Sequence, residues 1–188
     1  MTISSTSTST SVGGVRAFSR NNIKVSNGTI KGVEGASSAY AIFFSGVDNS
    51  TIENITALDT NGIEISGGAS SFVRNNIVDG DTIIGLSTTT PTIVTRGLRV
   101  SARQAIIENN LVQNNVSSLG SLGGINNNLG GLFKNNVVRN ISNTNGVCIS
   151  GGTGSLMVQN MVTRCFSTGS TDLDDIRGTV LVDNSPAN

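Results

Sequence analysis

The sequence predicts an all-β solenoid, in which short parallel strands stack on one another. A short sequence motif ending in asparagine recurs along the chain, and a second motif with strand periodicity alternates with it. The number of residues from the second motif to the next copy of the first is nearly constant, whereas the number from the first motif to the next copy of the second varies. Repeats of about 20–50 residues indicate stacked supersecondary units. We therefore expect one repeating domain.

The first motif has an asparagine two residues after an apolar residue, and its successive asparagines are 27, 21, 34, 26 and 25 residues apart. Asparagine tolerates the left-handed backbone that a tight corner requires, and its amide can hydrogen-bond to the amide of the next unit. We therefore predict a stacked ladder formed by Asn27, Asn54, Asn75, Asn109, Asn135 and Asn160.

The second motif is a small residue followed by apolar residues spaced by two, which is the periodicity of a strand. No segment keeps a helical apolar stripe, and Asn, Gly, Thr and Val are common where strong helix formers would be expected. The copies are Gly14-Val15-Arg16-Ala17, Ala41-Ile42-Phe43-Phe44, Gly62-Ile63-Glu64-Ile65, Gly97-Leu98-Arg99-Val100, Gly124-Ile125-Asn126, Gly146-Val147-Cys148-Ile149 and, more weakly, Gly178-Thr179-Val180-Leu181.

The two intervals within a unit differ in their variability. From the small residue to the next asparagine they are 13, 13, 13, 12, 11 and 14 residues, and the return intervals are 14, 8, 22, 15, 11 and 18. This asymmetry predicts about seven rungs with a constant corner on one side and loops on the other. The residues expected to fill the interior are Ile42, Phe44, Ile63, Ile65, Val73, Leu98, Val100, Ile107, Ile125, Phe133, Val147, Ile149 and Val158.

The residues between the apolar position and the asparagine supply a check on the register. Stacked in parallel, they form a column whose charges alternate, and opposite charges on neighbouring strands contribute about 0.2–1 kcal/mol each. Glu64 and Arg99 form a similar pair in the other strand. The predicted column is Ser26, Glu53, Arg74, Glu108, Lys134 and Gln159.

Composition excludes several function classes. The chain of 188 residues has no histidine, so it has no Ser-His-Asp triad, no Cys-His pair and no His-ligated zinc. A formal net charge of +0 gives no basic footprint for nucleic acid. With one Tyr, six Phe and no Trp, the chain has few aromatic rings on which a sugar could stack. No apolar run is long enough for a membrane span, and the Ser/Thr-rich segment 1–11 shows no secretory signal.

The chain contains two cysteines, Cys148 and Cys165. We interpret them as two small, partly buried thiols, with a disulfide between them as the alternative. Two cysteines alone do not fix a redox compartment.

These repeats resemble the right-handed parallel β-helix proteins of the pectate-lyase-like superfamily. The resemblance implies a single right-handed parallel β-helix over residues 12–188, with a C-terminal cap at 172–188, and an extracellular or cell-surface location. A leucine-rich repeat also carries an asparagine ladder, but its leucine pattern and helices are missing. The stretches that carry the resemblance are Asn22-Ile-Lys-Val-Ser-Asn-Gly-Thr-Ile-Lys-Gly32, Asn49-Ser-Thr-Ile-Glu-Asn-Ile-Thr56 and Phe133-Lys-Asn-Asn-Val-Val-Arg-Asn140.

The superfamily includes calcium-dependent polysaccharide lyases, in which Asp side chains hold Ca²⁺ against an acidic sugar and an Arg or Lys abstracts the α-proton. The resemblance implies one catalytic set, Arg177 with Asp174, beside the metal candidates Asp172, Asp174 and Asp175. A second set would be Asp79 and Asp81 near Arg96 or Arg99. The alternative interpretation is that both sets of residues belong to solvent-exposed acidic loops with no catalytic or metal-binding role.

We therefore predict a non-catalytic β-helix scaffold that is structural, adhesive or carbohydrate-contacting. It would self-associate through its ends or a flat face, because an uncapped solenoid end exposes strand edges and core. This scaffold would need no cofactor. Apart from other copies of the chain, its expected partner would be a polysaccharide. The alternative is a Ca²⁺-dependent polysaccharide lyase or a related carbohydrate-active enzyme.

Overall fold

The computed structural model describes residues 2–6, 11–34, 38–58, 60, 62–79, 97–114, 124–143, 148–167, 176–177, 180–182 and 185–186. These residues form strands and turns and contain no helix. In this part of the chain there is accordingly no helix long and apolar enough to cross a membrane.

The described residues form twenty strands. They are β1 Thr2–Thr6, β2 Ser11–Phe18, β3 Lys24–Glu34, β4 Ser38–Ser45, β5 Thr51–Leu58, β6 Ile63–Ala69, β7 Phe72–Arg74, β8 Ile77–Asp79, β9 Leu98–Arg103, β10 Ala105–Glu108, β11 Leu111–Gln113, β12 Ile125–Asn127, β13 Gly131–Lys134, β14 Val137–Asn143, β15 Ile149–Gly151, β16 Leu156–Val158, β17 Met161–Ser167, β18 Ile176–Arg177, β19 Val180–Val182 and β20 Ser185–Pro186.

The strands form two parallel sheets. The seven-stranded sheet has the order β18-β15-β12-β9-β6-β4-β2. The thirteen-stranded sheet has the order β19-β16-β13-β10-β7-β5-β8-β11-β14-β17-β20, with β3 beside β5 and β1 beside β3. Each strand pairs with its counterpart one repeat away. These findings confirm the all-β class and the parallel pairing, and they are consistent with a parallel β-solenoid.

The thirteen-stranded sheet has two arms that meet at a corner. Arm 1 contains β7, β10, β13, β16 and β19, and arm 2 contains β8, β11, β14, β17 and β20. The strands β3 and β5 run through both arms, so they join them into one sheet. The corner residues have a left-handed backbone, with φ between 51° and 58°, which asparagine tolerates better than most residues. They are Asn27, Asn54, Asn75, Asn109, Asn135 and Gln159.

The register differs from the predicted alignment near the C-terminus. Lys134 pairs with Val158, so Gln159 occupies the corner and Asn160 follows it. In the seven-stranded sheet Ile125 pairs with Ile149, which places Cys148 opposite Gly124 in place of Gly146. A side chain at Gly124 would collide with the Cys148 carbonyl oxygen, which accepts a hydrogen bond from Ile125 N–H at 2.8 Å. The seventh strand of this sheet is Ile176–Arg177, and Val180–Val182 lies in arm 1, so the predicted seventh copy at Gly178 is wrong.

The apolar core runs through the repeats and is bounded by the inner faces of both sheets. All but two of the predicted interior residues are at most 1% exposed. The exceptions are Val147, which lies outside the described residues, and Val158, which is half-buried. Met157 fills the position predicted for Val158, because the register of this repeat is shifted by one residue. Strand alternation therefore places the core residues correctly wherever the register is correct.

A buried amide ladder runs beside the corner. Four asparagines are at most 1% exposed, namely Asn76, Asn110, Asn136 and Asn160. Asn110 Oδ1 accepts bonds from the backbone N and the Nδ2 of Asn76, both at 3.0 Å. Asn110 in turn donates to Asn136 Oδ1, and Asn136 donates to Asn160 Oδ1, through the same two atoms.

Each of these side chains also binds the backbone of the preceding repeat. For example, Asn110 Nδ2 donates to the Val73 carbonyl oxygen at 2.9 Å. Asn76, Asn136 and Asn160 make the equivalent bonds to Ile52, Ile107 and Phe133. The ladder therefore satisfies backbone groups that the corner removes from strand pairing.

A disulfide joins Cys148 and Cys165, with a Cα–Cα distance of 6.3 Å. The interpretation of two free thiols is therefore wrong, because the fold brings the start of β15 and the end of β17 together across the core. The 17-residue separation corresponds to about 3 kcal/mol of stabilisation in the chain-entropy model. The bond links the seven-stranded sheet covalently to arm 2.

Replacing Asn110 by alanine should destabilise the fold by about 2–5 kcal/mol. The substitution leaves Asn76 N–H and the Val73 carbonyl oxygen without their side-chain partner in a buried site. Urea unfolding followed by circular dichroism measures the loss. Asn109→Gly is the matched control. Asn109 is the exposed residue just before Asn110 and needs only a left-handed backbone, which glycine also adopts, so this change should cost less than about 1 kcal/mol. Equal stability of the two variants would contradict the role given to the ladder.

Candidate functional surface

The residues predicted for a lyase site are only partly placed. Asp81, Asp172, Asp174 and Asp175, together with Arg96, lie outside the described residues. Asp79 ends β8 in arm 2, where it pairs with Leu58 and Gln113. Arg177 lies in β18 of the seven-stranded sheet, opposite Ser150. Asp79 and Arg177 therefore belong to different sheets, and the catalytic and calcium assignments remain predictions.

The titratable groups of the described residues do not converge on a metal site. Among them there is no group of three or more His, Cys, Asp or Glu side chains that could hold a metal ion. The features with chemical character lie instead on the outward faces of the two sheets and on the first strand edge.

The predicted asparagine ladder divides into two columns. Asn27, Asn54, Asn75, Asn109 and Asn135 occupy the corner position and are exposed. In this outer column Asn54 Nδ2 donates to Asn27 Oδ1 at 3.0 Å. Asn160 belongs to the buried inner column, where it bonds to Asn136. The doubled asparagines in the sequence were the available signal for the inner column, which the outer spacing alone did not reveal.

The alternating charges of arm 1 lie in register. Glu53 pairs with Arg74, Arg74 with Glu108, and Glu108 with Lys134, as the alternation predicts. Val158 takes the place predicted for Gln159 at the end of this column, because of the shifted register.

Glu53 is the centre of an ion-pair network on this face. Its carboxylate contacts Lys24 Nζ at 2.6 Å and Arg74 Nη2 at 2.8 Å, although the Glu53 side chain is only 10% exposed. The hydrogen bond from Lys24, and then that from Arg74, holds the pKa of Glu53 below its ordinary value. The network therefore ties three successive repeats together by charge.

The seven-stranded sheet carries a second charged pair on its outward face. Arg99 Nη1 lies 3.5 Å from Glu64 Oε1, in the register that the sequence predicts. Glu64 is buried, whereas Arg99 is half-buried. Asn126 is the next residue in the same column and is also buried.

An aromatic patch lies on the same sheet, and composition alone did not reveal it. We define the aromatic patch as Arg16, Phe18, Tyr40 and Phe43. The Phe43 ring lies 5.7 Å from Phe18 and 5.4 Å from Tyr40, between ring centroids. Arg16 Cζ lies 5.0 Å from the Phe18 centroid and 5.5 Å from that of Phe43. Phe18 is 50% exposed, so the patch presents aromatic surface together with a guanidinium group.

The first repeat leaves apolar side chains incompletely covered. Val15, Ala17, Ile23 and Val25 pack against the core but are only half-buried. Their counterparts one repeat later, Ile42, Phe44 and Ile52 among them, are fully buried. Among the described strands, β2 is paired along one edge only. We call this surface the first-repeat edge.

Replacing Glu53 by glutamine should make the free energy of unfolding depend less on pH below neutrality. Because the folded-state pKa is lowered, the unfolded chain binds the proton first as the pH falls. The stability that the carboxylate supplies is therefore complete above the ordinary Glu pKa of about 4.3 and is lost as the pH falls through the folded value. Urea unfolding from pH 7 to pH 3 should show the wild type converging on Glu53→Gln.

Arg74→Gln is the control for this experiment. It removes the second partner and leaves Lys24, so it should weaken the pH dependence without abolishing it. Parallel curves for wild type and Glu53→Gln over this range would be incompatible with the ion-pair network.

Comparison with known proteins adds no assignment to these surfaces. No protein-family model matches the chain, no curated protein matches it, and no solved structure matches it. The functional reading therefore rests on the geometry described above.

Proposed function

We propose that the chain is a single right-handed parallel β-helix of about seven rungs, related to the pectate-lyase-like superfamily, that serves as a non-catalytic, self-associating scaffold. The parallel register, the left-handed asparagine corner and the continuous apolar core support this architecture. The charged side chains of the described residues that lie close together form ion pairs along the outward faces of the sheets.

The first-repeat edge is the observation that carries the scaffold function. Full burial of a Val or Ile side chain contributes about 1.5–3 kcal/mol, and the first repeat leaves part of this contribution unused. The edge of β2 also presents backbone donors and acceptors that a further parallel strand could bind. A second copy of the chain supplies such a strand at its opposite end, where β18 and β19 lie at the ends of their sheets.

This contact is head-to-tail and continues the stacking of the seven-stranded sheet and arm 1, whereas in arm 2 the first edge of β3 is already paired with β1. Because the two surfaces differ, the contact does not close on itself, and assemblies grow with concentration. The product would be a rod with a repeat of about 4.8 Å between strands.

The disulfide supports a location outside the cytoplasm. Disulfides persist in oxidising compartments, so the bond between Cys148 and Cys165 favours such a place. This fits the extracellular or cell-surface location that the family resemblance implies.

Lysine substitution at the first-repeat edge tests end-on association. In sedimentation velocity over a hundredfold concentration range, the wild type should form assemblies that grow, and Val15→Lys with Val25→Lys should remain limited in size. Thr56→Lys, which adds a charge to the outward face of arm 2, is the control and should assemble like the wild type. A wild type that stays strictly monomeric throughout would overturn the proposal.

Carbohydrate contact is a second candidate function, which the aromatic patch favours. The exposed Phe18 ring offers an apolar face for a sugar, and the Arg16 guanidinium offers donors for hydroxyl or carboxylate oxygens. The patch lies on the outward face of β2 and β4, so it remains accessible along a rod.

Gel-retardation electrophoresis with a soluble neutral glucan and with polygalacturonate tests this contact. Phe18→Ala should lose at least about fivefold in retardation by the polysaccharide that binds. Phe72→Ala is the matched control, because Phe72 is 41% exposed but lies outside the patch, on arm 1. If neither polysaccharide retards the wild type, or if both variants behave alike, the patch is not a carbohydrate site.

A further inference from the structure

Two apolar register columns define how one copy meets the next in the end-on contact. In the seven-stranded sheet one column begins at Val15 and ends at Ile176, and every residue in it is apolar. In arm 1 a second apolar column begins at Val25 and ends at Leu181. Continuing both columns from copy to copy places Ile176 beside Val15 and Leu181 beside Val25. One register therefore suits both sheets.

In arm 2 two strands compete for one place at this junction. β1 already pairs with the first edge of β3, where β20 of the incoming copy would otherwise lie. β1 contains five residues, whereas β20 contains only Ser185 and Pro186, and proline has no backbone N–H to donate. The junction is therefore formed by the seven-stranded sheet and arm 1, with β1 retained in arm 2.

The same register brings two arginines together at the junction. Arg16 lies one residue after Val15, and Arg177 lies one residue after Ile176, so the contact places the two arginines directly opposite each other. Adjacent strands are about 4.8 Å apart, and like charges in opposite positions destabilise a sheet. The next residues of this column are Phe43 on one side and Ser150 on the other, and neither carries a negative charge.

Arg16 is held by aromatic rings, and its guanidinium group is not neutralised. Its Cζ lies 5.0 Å from the Phe18 centroid and 5.5 Å from the Phe43 centroid. Gly13 leaves room for the aliphatic stem, because a Cβ there would lie 2.5 Å from Arg16 Cγ. Among the described residues no carboxylate forms an ion pair with Arg16, whose side chain is exposed. The rings therefore orient a cation that can receive an anion.

We propose that the junction between two copies is an oxyanion site, formed by Arg16 of one copy and Arg177 of the next; the site rests on the end-on contact proposed above. A sulfate, phosphate or carboxylate group has at least two oxygens, so it accepts hydrogen bonds from both guanidinium groups at once. The bound anion turns a repulsive contact into an attractive one. Each half of the site is incomplete without the other copy.

The anion strengthens association by mass action. For a site with a dissociation constant of about 1 mM, about 10 mM anion raises the association constant about tenfold. Sulfate also promotes association non-specifically at high concentration, because it is excluded from protein surfaces. Millimolar sulfate at constant ionic strength keeps this second effect small.

Sedimentation velocity of the full chain tests the site. Sodium sulfate at about 10 mM, exchanged for sodium chloride, should raise the end-on association constant of the wild type about tenfold. Arg16→Gln removes the like charge and half of the site, so it should assemble in chloride at least as well as the wild type and should not respond to sulfate. Arg103→Gln is the matched control and should respond like the wild type, because Arg103 is an exposed arginine of β9, away from the junction.

Charge reversal supplies a gain-of-function test. Arg16→Glu places a carboxylate opposite Arg177 of the neighbouring copy, so this variant should assemble at least about fivefold more strongly than the wild type in chloride alone. Its urea unfolding midpoint shows whether it is folded. A folded Arg16→Glu that assembles no better than the wild type would contradict the contact with Arg177.

The source of the oxyanion is identified by repeating the measurement with polygalacturonate, which carries carboxylates on a polymer, and with a neutral glucan. A response to sulfate assigns the site to a free anion, and a response to polygalacturonate alone assigns it to a carboxylate of a polysaccharide. In both cases Arg16→Gln should abolish the response, and the neutral glucan should produce none.

The site and the end-on contact fail separately. Wild-type assemblies that grow with protein concentration but respond to neither anion would refute the site and leave the end-on contact standing. A response that Arg16→Gln retains in full would come from exclusion at the protein surface and would also refute the site. A wild type that stays monomeric with and without both anions would refute the end-on contact, and the site with it.

Discussion

The in-register stacking of the asparagine corner is the constraint on which the rest of the structure depends. At each corner the chain changes direction, and the backbone groups there cannot all pair with a neighbouring strand. Asn76, Asn110, Asn136 and Asn160 replace those partners with side-chain amides, each bound to the next amide and to the backbone of the preceding repeat. Since these amides are buried, a slip of one residue would leave several polar groups unsatisfied.

This fixed register separates the inner and outer residues of every strand. Apolar side chains meet inside and form one continuous core, while residues of like position form columns outside. A column becomes a surface feature when its members share a property. The ion pairs around Glu53, the aromatic patch around Phe43 and the apolar column that includes Phe72 and Leu156 all arise in this way. The chemical character of the outer surface therefore lies in these columns.

The features also divide along the stack. The aromatic patch and the first-repeat edge belong to the earliest repeats, whereas the apolar column through Phe72, Ile106, Leu132 and Leu156 begins at β7. The disulfide between Cys148 and Cys165 strengthens a repeat near the end of the described stack.

The sequence alone determined the strand periodicity, the parallel stacking and most of the inner faces of the seven-stranded sheet and arm 1, because these follow from local alternation and from residues such as Asn75 and Asn109 that favour a left-handed corner. It did not name the inner face of arm 2, where Ile55, Val112 and Val138 lie. It also predicted the partners Glu53 with Arg74 and Glu64 with Arg99, since each residue holds a fixed place within its repeated strand motif whatever the length of the intervening loop. Tertiary structure alone decided the shift that buries Met157 and Asn160, the pairing of the cysteines and the assembly of the aromatic patch. Each of these depends on where a loop of irregular length returns the chain, and that position is set by packing and hydrogen bonds to the neighbouring repeat.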